Sequence, residues 1–420
     1  MRVVGLITEY NPFHNGHKYH IEEAKKKTNA DYVVVIMSGN FVQRGTPAMM
    51  DKYQRTKMAL NLGADLVIEL PVCYATASAE FFALGAVSIL DKLGIVTDIC
   101  FGSECGDTNV LSTIARLLLN ESDEYKKLIS LYIKEGKTFP EARMEAIKNS
   151  CPIDYSDILS SPNNILGIEY MKALLTLKSN INPVTITRIT AHYHSEDLTN
   201  PNTRDTTCDS YAISSATAIR KVLKDSTDLG LLESHVPGYV FNIMKENYLK
   251  TFPIFEDDYS LLLNYKLMWE DNLSLTKYTD ITPDLANRIS NLPLSGQTFN
   301  EFGKLIKSRQ LTLTRVNRVL THILLNLKED DLKIYNTTGY GKYARILGFK
   351  KTSSHLIRLI DKNEKIPIIT KVADAKNLLD NISLKMFYED INSSHIYNHV
   401  VYHKYHTKLK DEYTAGVIIL

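Results

Sequence analysis

Through the first half of the chain, short aliphatic runs alternate with amphipathic stretches. Residues 3–7 are apolar, 17–27 carry apolar residues at helical spacing, and 33–37 are apolar again, which is the strand, helix, strand order of a βαβ unit. The alternation continues with a helix near 52–62, a strand at 66–70, a helix near 79–93 and a strand at 99–101. This order predicts an α/β fold, a doubly wound parallel sheet of the Rossmann-like kind. A helical insertion is expected at about 110–150, one more strand at 184–189 and a helix at 213–223, so the first domain is placed at residues 1–224.

Beyond that point strand alternation fades. Val316, Val319, Leu320, Ile323, Leu324 and Leu327 fall on one helical face, and residues 225–420 are expected to be mainly helical. No repeat or low-complexity linker marks the boundary, which is a change of pattern.

With 420 residues and 44% hydrophobic content the chain can bury a real core. Its 49 basic and 48 acidic residues leave a net charge of +1, so any face for nucleic acid must be local. Five scattered cysteines, Cys73, Cys100, Cys105, Cys151 and Cys208, form no C-x-x-C pair or zinc-spaced cluster. That favours a reducing compartment without a structural metal. The N-terminal apolar stretch is too short for a signal peptide and no stretch is long enough for a membrane helix, so a cytoplasmic, membrane-free protein is expected. No protein partner can be deduced.

The segment Asn11-Pro12-Phe13-His14-Asn15-Gly16-His17 follows the first predicted strand and opens the first predicted helix, where open α/β sheets place ligands. Gly16 lets the main chain approach a ligand, and a helix N-terminus offers unsatisfied N–H groups and partial positive charge. His14 and His17 add donors suited to an α-phosphate and its departing pyrophosphate, where positioning and charge stabilisation do most of the catalysis. Later, Ile213-Ser214-Ser215-Ala216-Thr217-Ala218-Ile219-Arg220 places Ser214 and Ser215 at a helix start, with Arg220 a turn and a half on. This is either a phosphate cradle or an ordinary capped helix.

His14-Asn15-Gly16-His17 resembles the HxGH signature of the nucleotidylyl transferase superfamily. The Ile213–Arg220 string resembles that superfamily's late ISSTxIR segment, with Ala216 where Thr is common. Longer strings resemble one family in particular. They are the run from Gly5 to Lys18, Met37-Ser38-Gly39-Asn40-Phe41-Val42-Gln43-Arg44-Gly45, the run from Ala64 to Pro71, Phe101-Gly102-Ser103-Glu104, the run from Ser161 to Gly167, and Arg188 with Tyr193-His194. Together they are similar to the bacterial tRNA(Met) cytidine acetate ligase family, over essentially the whole chain.

That resemblance implies an enzyme that activates acetate with ATP as acetyl-adenylate and acetylates the exocyclic amine of the wobble cytidine of elongator tRNA(Met). Catalysis falls to His14 and His17. ATP would be held by Ile7, Thr8, Glu9, Tyr10, Asn11, Pro12, Phe13, His14, Asn15, Gly16, His17, Lys18, Tyr19, His20, Gly102, Asn163 and Arg188, with Ser214, Ser215 and Arg220 on the phosphates and Mg2+ screening them. Each position also has a plainer reading. Gly102 can be a turn glycine, Asn163 a helix cap, Arg188 the partner of an acid, and Lys18 solvated. Lys52 and Arg55 can form a charged helix face, Asp65 a loop cap and Glu69 a pocket-edge carboxylate. His192, His194 and Asp197 are candidates to deprotonate the cytosine amine.

Basic residues do cluster locally. Lys304, Lys307, Arg309, Arg315 and Arg318 lie in a stretch without an acid, and Lys333 to Lys371 holds nine, Arg345, Lys350 and Lys351 among them, against Asp361 and Glu364. With Tyr340 and Tyr343 interleaved, these suit RNA phosphates and base stacking, and Arg315, Arg318, Arg345, Lys350 and Lys351 are the expected contacts to the tRNA anticodon region. A solvated helix face is the alternative. Two other functions stay open on sequence: a small-molecule adenylyl transferase of cofactor synthesis, and a nucleotide- and RNA-binding protein without catalysis.

Overall fold

The structure is a computed structural model that describes residues 1–150, 155–187, 198 and 212–420. Five strands form the expected sheet: β1 (Val3–Thr8), β2 (Tyr32–Ser38), β3 (Leu66–Leu70), β4 (Asp98–Ser103) and β5 (Asn182–Thr187). Their spatial order is β3-β2-β1-β4-β5 and every pairing among them is parallel. Such strands are covered on both faces and need near-continuous apolar sequence. Tyr-Val-Val-Val-Ile-Met-Ser in β2 and Leu-Val-Ile-Glu-Leu in β3 meet that need, with β3 buried throughout. The chain winds outward from β1 through β2 to β3, then returns to lay β4 on the other side of β1. That reversal opens a crevice at the carboxyl ends of β1 and β4.

Helices Asn15–Thr28, Lys52–Asn61 and Ala79–Leu93 connect the strands. The expected insertion consists of helices Thr108–Leu119, Asp123–Lys134 and Phe139–Ser150. The late helix starts at Ala216 and runs to Asp225.

Past residue 225 the chain is mainly helical, but it does not stay apart from the sheet. Strand β6 (Ala344–Phe349) pairs antiparallel with β3, and β7 (Ile368–Ile369) and β8 (Ile418–Ile419) pair parallel with β6. The sheet therefore draws on both sides of the boundary set at 224. The cause is the exposed edge that β3 would otherwise present. Ala-Arg-Ile-Leu-Gly-Phe does not read as a strand because Arg345 and Gly348 interrupt its apolar run.

A separate helical core contains Leu263, Leu267, Leu285, Phe302, Val316 and Leu320. The helix Leu313–Leu325 buries the face expected of it, from Val316 at 0% exposed to Leu324 at 8%. It also touches the sheet domain. Between β2 and Lys52, Phe41–Val42 and Thr46–Pro47 form a small hairpin, and its turn residue Gly45 sits at φ +68, a conformation that favours glycine. A Cβ on Gly45 would lie 2.2 Å from Arg318 N, and Thr321 Oγ1 donates to Gly45 O at 2.8 Å.

A buried ionic group ties the sheet to the C-terminus. Lys52 Nζ reaches Glu69 Oε1 at 2.7 Å and Glu412 Oε1 at 3.1 Å, and Arg345 pairs with both carboxylates. Lys52 and Arg55 are 0% exposed, so the expectation of a charged helix face gives way to interior roles. Glu69 lies in this network rather than at a pocket edge. Asp65 does act as a loop fastener, accepting from Val33 N and Ser353 Oγ at 2.9 Å each.

Candidate active site

The crevice above β1 and β4 holds a cavity of about 270 Å3, near the lower end of the ~300–1,000 Å3 usual for small-ligand sites. Its walls bring together the first motif (Ile7, Thr8, Glu9, His14, Gly16, His17, Tyr19, His20), the second (Ser215, Thr217, Arg220), and Gly102 with Asn163. Two motifs some 200 positions apart in sequence, His17 and Thr217 among them, thus share one pocket because β1 ends and the late helix begins on the same side of the sheet.

His14 caps the helix Asn15–Thr28 with its own side chain. Its Nδ1 accepts from Gly16 N at 3.1 Å, while His17 Nδ1 accepts from His14 N at 3.2 Å. Because each Nδ1 is an acceptor, each ring carries its proton on Nε2. The two imidazoles stack with centroids 3.8 Å apart. Gly16 is what allows this: a Cβ there would lie 2.9 Å from His14 Cε1.

Tyr10, Asn11, Pro12 and Phe13 do not line the cavity; they brace it. Tyr10 adopts φ +49 and turns the chain out of β1, and its buried ring lies 4.6 Å from Phe13 and 4.9 Å from His17. Burial raises the Tyr10 hydroxyl pKa well above the usual phenol range. Asn11 Oδ1 accepts from Met49 N at 2.9 Å. Pro12 follows a cis peptide bond.

Asn15 and Ser214 also work behind the wall. Asn15 Nδ2 donates to Ala212 O and Ser234 O at 2.9 Å each, and Ser214 Oγ lies 2.9 Å from His235 Nδ1. Arg220 joins the two motifs directly, donating from Nη1 to Asn11 O at 2.9 Å and from Nη2 to Thr217 Oγ1 at 3.1 Å. Ser215 caps its helix by accepting from Ala218 N at 3.0 Å. Two helix N-termini therefore face one cavity, each with partial positive charge for an anion.

At the other end, Asn163 opens the helix Pro162–Thr176 and donates from Nδ2 to Glu104 Oε1 at 2.6 Å. Its neighbour Asn164 accepts from Glu104 N and Cys105 N, which fastens the loop after β4 to this helix. Lys18 does not line the cavity, and its Nζ lies 3.8 Å from Glu22. Arg188, and with it His192, His194 and Asp197, lies outside the described residues.

Several wall residues were not singled out from sequence: Gln43 and Arg44 from the hairpin turn, Phe82, Phe101, Leu166 and Tyr170. The turn signal was present in Gln43-Arg44-Gly45, but only the hairpin's anchorage aims it at the cavity. Among the described residues no three His, Cys, Asp or Glu side chains converge as a metal site, and no helix is long and apolar enough to cross a membrane.

The basic residues of the second half are dispersed. Arg315 and Arg318 both pair with Asp280 at 3.1 Å and remain partly exposed. Lys350 and Lys351 lie near the C-terminus, where Lys351 N donates to Leu420 O at 2.6 Å. Arg345 is 4% exposed and locked between Glu69 and Glu412, so its guanidinium is a structural cation rather than a surface one.

A family model described as HIGH Nucleotidyl Transferase matches residues 1–412. A protein of Acetivibrio thermocellus named tRNA(Met) cytidine acetate ligase is 39% identical, with 100% of both chains covered; one of Clostridium perfringens with the same name is 40% identical, covering 95% of each. The chain belongs to the tRNA(Met) cytidine acetate ligase family. Among solved structures, Thermotoga maritima TmcAL superposes with a TM-score of 0.89 in its apo form I and 0.87 with alpha-thio ATP bound, at 30% identity and full coverage of both chains. The α/β reading of the first half and the nucleotidyl transferase reading of the two motifs both agree with this membership of the ligase family.

Proposed function

We propose that this chain activates acetate with ATP and transfers the acetyl group to the exocyclic amine of the wobble cytidine in elongator tRNA(Met). The observation that carries the reading is the convergence of two helix N-termini and the stacked His14–His17 pair on one cavity, in a chain matched end to end by relatives named for that activity.

In the first half-reaction an acetate oxygen attacks the α-phosphorus of ATP and pyrophosphate leaves. His14 and His17 donate from Nε2 to oxygens that gain charge in the transition state, a role that needs donors already fixed in place. The backbone contacts at both Nδ1 atoms supply that fixity. Ser215, Thr217 and Arg220 cradle the triphosphate at the second helix start. Asn163, whose amide nitrogen is engaged by Glu104, offers its oxygen to the adenine amino group, and Gly102 admits adenosine against β4. Mg2+ would be carried chiefly by triphosphate oxygens, whose charge it would screen.

In the second half-reaction the cytosine amine attacks the acetyl carbonyl and AMP departs. An anticodon base is single-stranded and inexpensive to extrude into such a pocket. Arg315 and Arg318, with Lys350 and Lys351, are the proposed phosphate contacts in residues 225–420, and Arg345 is not among them. Mass spectrometry of tRNA(Met) nucleosides after incubation with ATP and acetate tests the assignment. The expected product is N4-acetylcytidine; its absence from a preparation that binds ATP overturns the proposal.

A further inference from the structure

Every described wall of the cavity is neutral or cationic except at one point: Glu9 is the one Asp or Glu among the described residues that line it. A carboxylate is an odd presence in a pocket built for a polyanion, and its position is strongly enforced. Arg55, fully buried, donates from Nη1 to Glu9 O at 2.7 Å and to Ser38 O at 3.0 Å, from Nε to Met50 O at 2.9 Å, and also to Gly39 O. One guanidinium thus fixes the ends of β1 and β2 and the segment before its own helix. Gln43 N then donates to Glu9 Oε1 at 2.8 Å.

That contact occupies one carboxylate oxygen and places the side chain at the hairpin turn. Among the described residues no ion pair reaches Glu9. The charged and titratable groups around it are Arg55 beneath, Arg44 on the hairpin and Tyr170 on the helix Pro162–Thr176, whose hydroxyl is raised by burial and by Glu9 itself. Tyr170 lies close enough to Glu9 to feel its charge, and the cavity wall also carries Phe82, Phe101 and Leu166.

We propose that Glu9, which the family resemblance places among the residues holding ATP, acts instead as the general base of the acyl-transfer step, a catalytic residue distinct from the groups that hold the phosphates. The inference rests on the proposed acetyl-transfer reaction and gives one of its steps an actor. The cytosine N4 lone pair forms a bond to the acetyl carbonyl carbon. The N4 proton passes to the oxygen of Glu9 not held by Gln43, the C–O bond to phosphate breaks, and AMP leaves with that electron pair. Solvent then takes the proton from Glu9. Acetyl-adenylate and cytidine become N4-acetylcytidine, AMP and a proton, with no further reactant. Arg55 serves as a positioning residue, since its hydrogen bond to Glu9 is made through the backbone carbonyl.

Glu9→Gln keeps an oxygen to accept from Gln43 N while removing the base. Two readouts are compared with wild type: acetate-dependent exchange of pyrophosphate into ATP, and single-turnover transfer from preformed acetyl-adenylate to tRNA(Met). General bases contribute roughly 100- to 10,000-fold, so transfer should slow at least ~100-fold while exchange stays within about tenfold. Glu9→Asp, which restores a carboxylate, should recover transfer at least ~10-fold over the Gln variant. Transfer within about threefold of wild type overturns the inference. A parallel loss of exchange, or a raised Mg2+ requirement for it, also overturns it and assigns Glu9 to the nucleotide. A wild-type protein that makes no acetylcytidine removes the parent reading, and this one with it.

Discussion

Replacing Gly16 with alanine separates what the first motif does for stability from what it does for the ligand. The new Cβ would lie 2.9 Å from His14 Cε1, 3.1 Å from His14 Nδ1 and 3.4 Å from Ile213 Cγ2, so the His14 ring must move. Moving it breaks the 3.1 Å contact from Gly16 N, a cap worth about 0.5–2 kcal/mol. Alanine within a helix, however, gains up to about 1 kcal/mol over glycine. The two nearly cancel, and unfolding should shift by less than ~1 kcal/mol. Nucleotide binding has no such compensation. A displaced imidazole forfeits a hydrogen bond to a charged oxygen, about 1.5–3 kcal/mol, or roughly 10- to 100-fold in affinity. Urea denaturation and ATP titration calorimetry on the same preparation read both quantities. Unchanged ATP affinity, or a stability loss of several kcal/mol with affinity following it, refutes the reasoning.

Lys52→Met leaves Glu69 and Glu412 with Arg345 as their remaining cation in the buried group. Stranding buried carboxylates this way should cost about 3–5 kcal/mol, read by urea denaturation, and a cost below ~1 kcal/mol would be inconsistent with it. Glu389, which accepts from Tyr335 Oη at 2.9 Å, has its carboxyl raised by burial from 4.5 to about 8. A raised carboxyl stabilises below its unfolded value and loses that contribution as pH climbs towards the folded one. Glu389→Gln should therefore raise the melting temperature at pH 8 relative to wild type with little change at pH 5; equal effects at both would count against the assignment. Asp390, raised to about 7, keeps part of the decline in place. Asp280→Asn releases Arg315 and Arg318 together and should tighten tRNA binding a few-fold at low salt with a steeper salt dependence; unchanged filter binding would place the RNA elsewhere.

The first half was legible because parallel strands covered on both faces announce themselves as aliphatic runs, and β3 falls on residues 66–70 as read. Residues 344–349 were missed as a strand because Arg345 and Gly348 interrupt the apolar run, and their reasons for being there are tertiary. Arg345 answers Glu69 and Glu412, and Gly348 lies where a Cβ would be 2.8 Å from Thr56 Cγ2. The same blindness put Arg345 among surface cations and Lys52 on a helix face, since a partner outside the element leaves no local mark: Glu69 lies 17 residues from Lys52 and Glu412 67 residues from Arg345. Around the cavity, His14, His17 and Arg220 carried a motif and were found. Phe82, Phe101 and Tyr170 look like any core aromatic in sequence, and only packing turns them towards the cavity.

Gly45 has a consequence for how this protein can be cut or rebuilt. Its turn is seated on the backbone of the helix Leu313–Leu325, and the same turn carries Gln43 to Glu9. A fragment ending at residue 224 would lose the seat of that turn and, with β6, the cover on the edge of β3. It would keep both nucleotide motifs yet present an unpaired aliphatic strand, so the nucleotide half is not a portable module. Chimaeras between relatives should succeed only when the hairpin and the helix Leu313–Leu325 travel from the same parent.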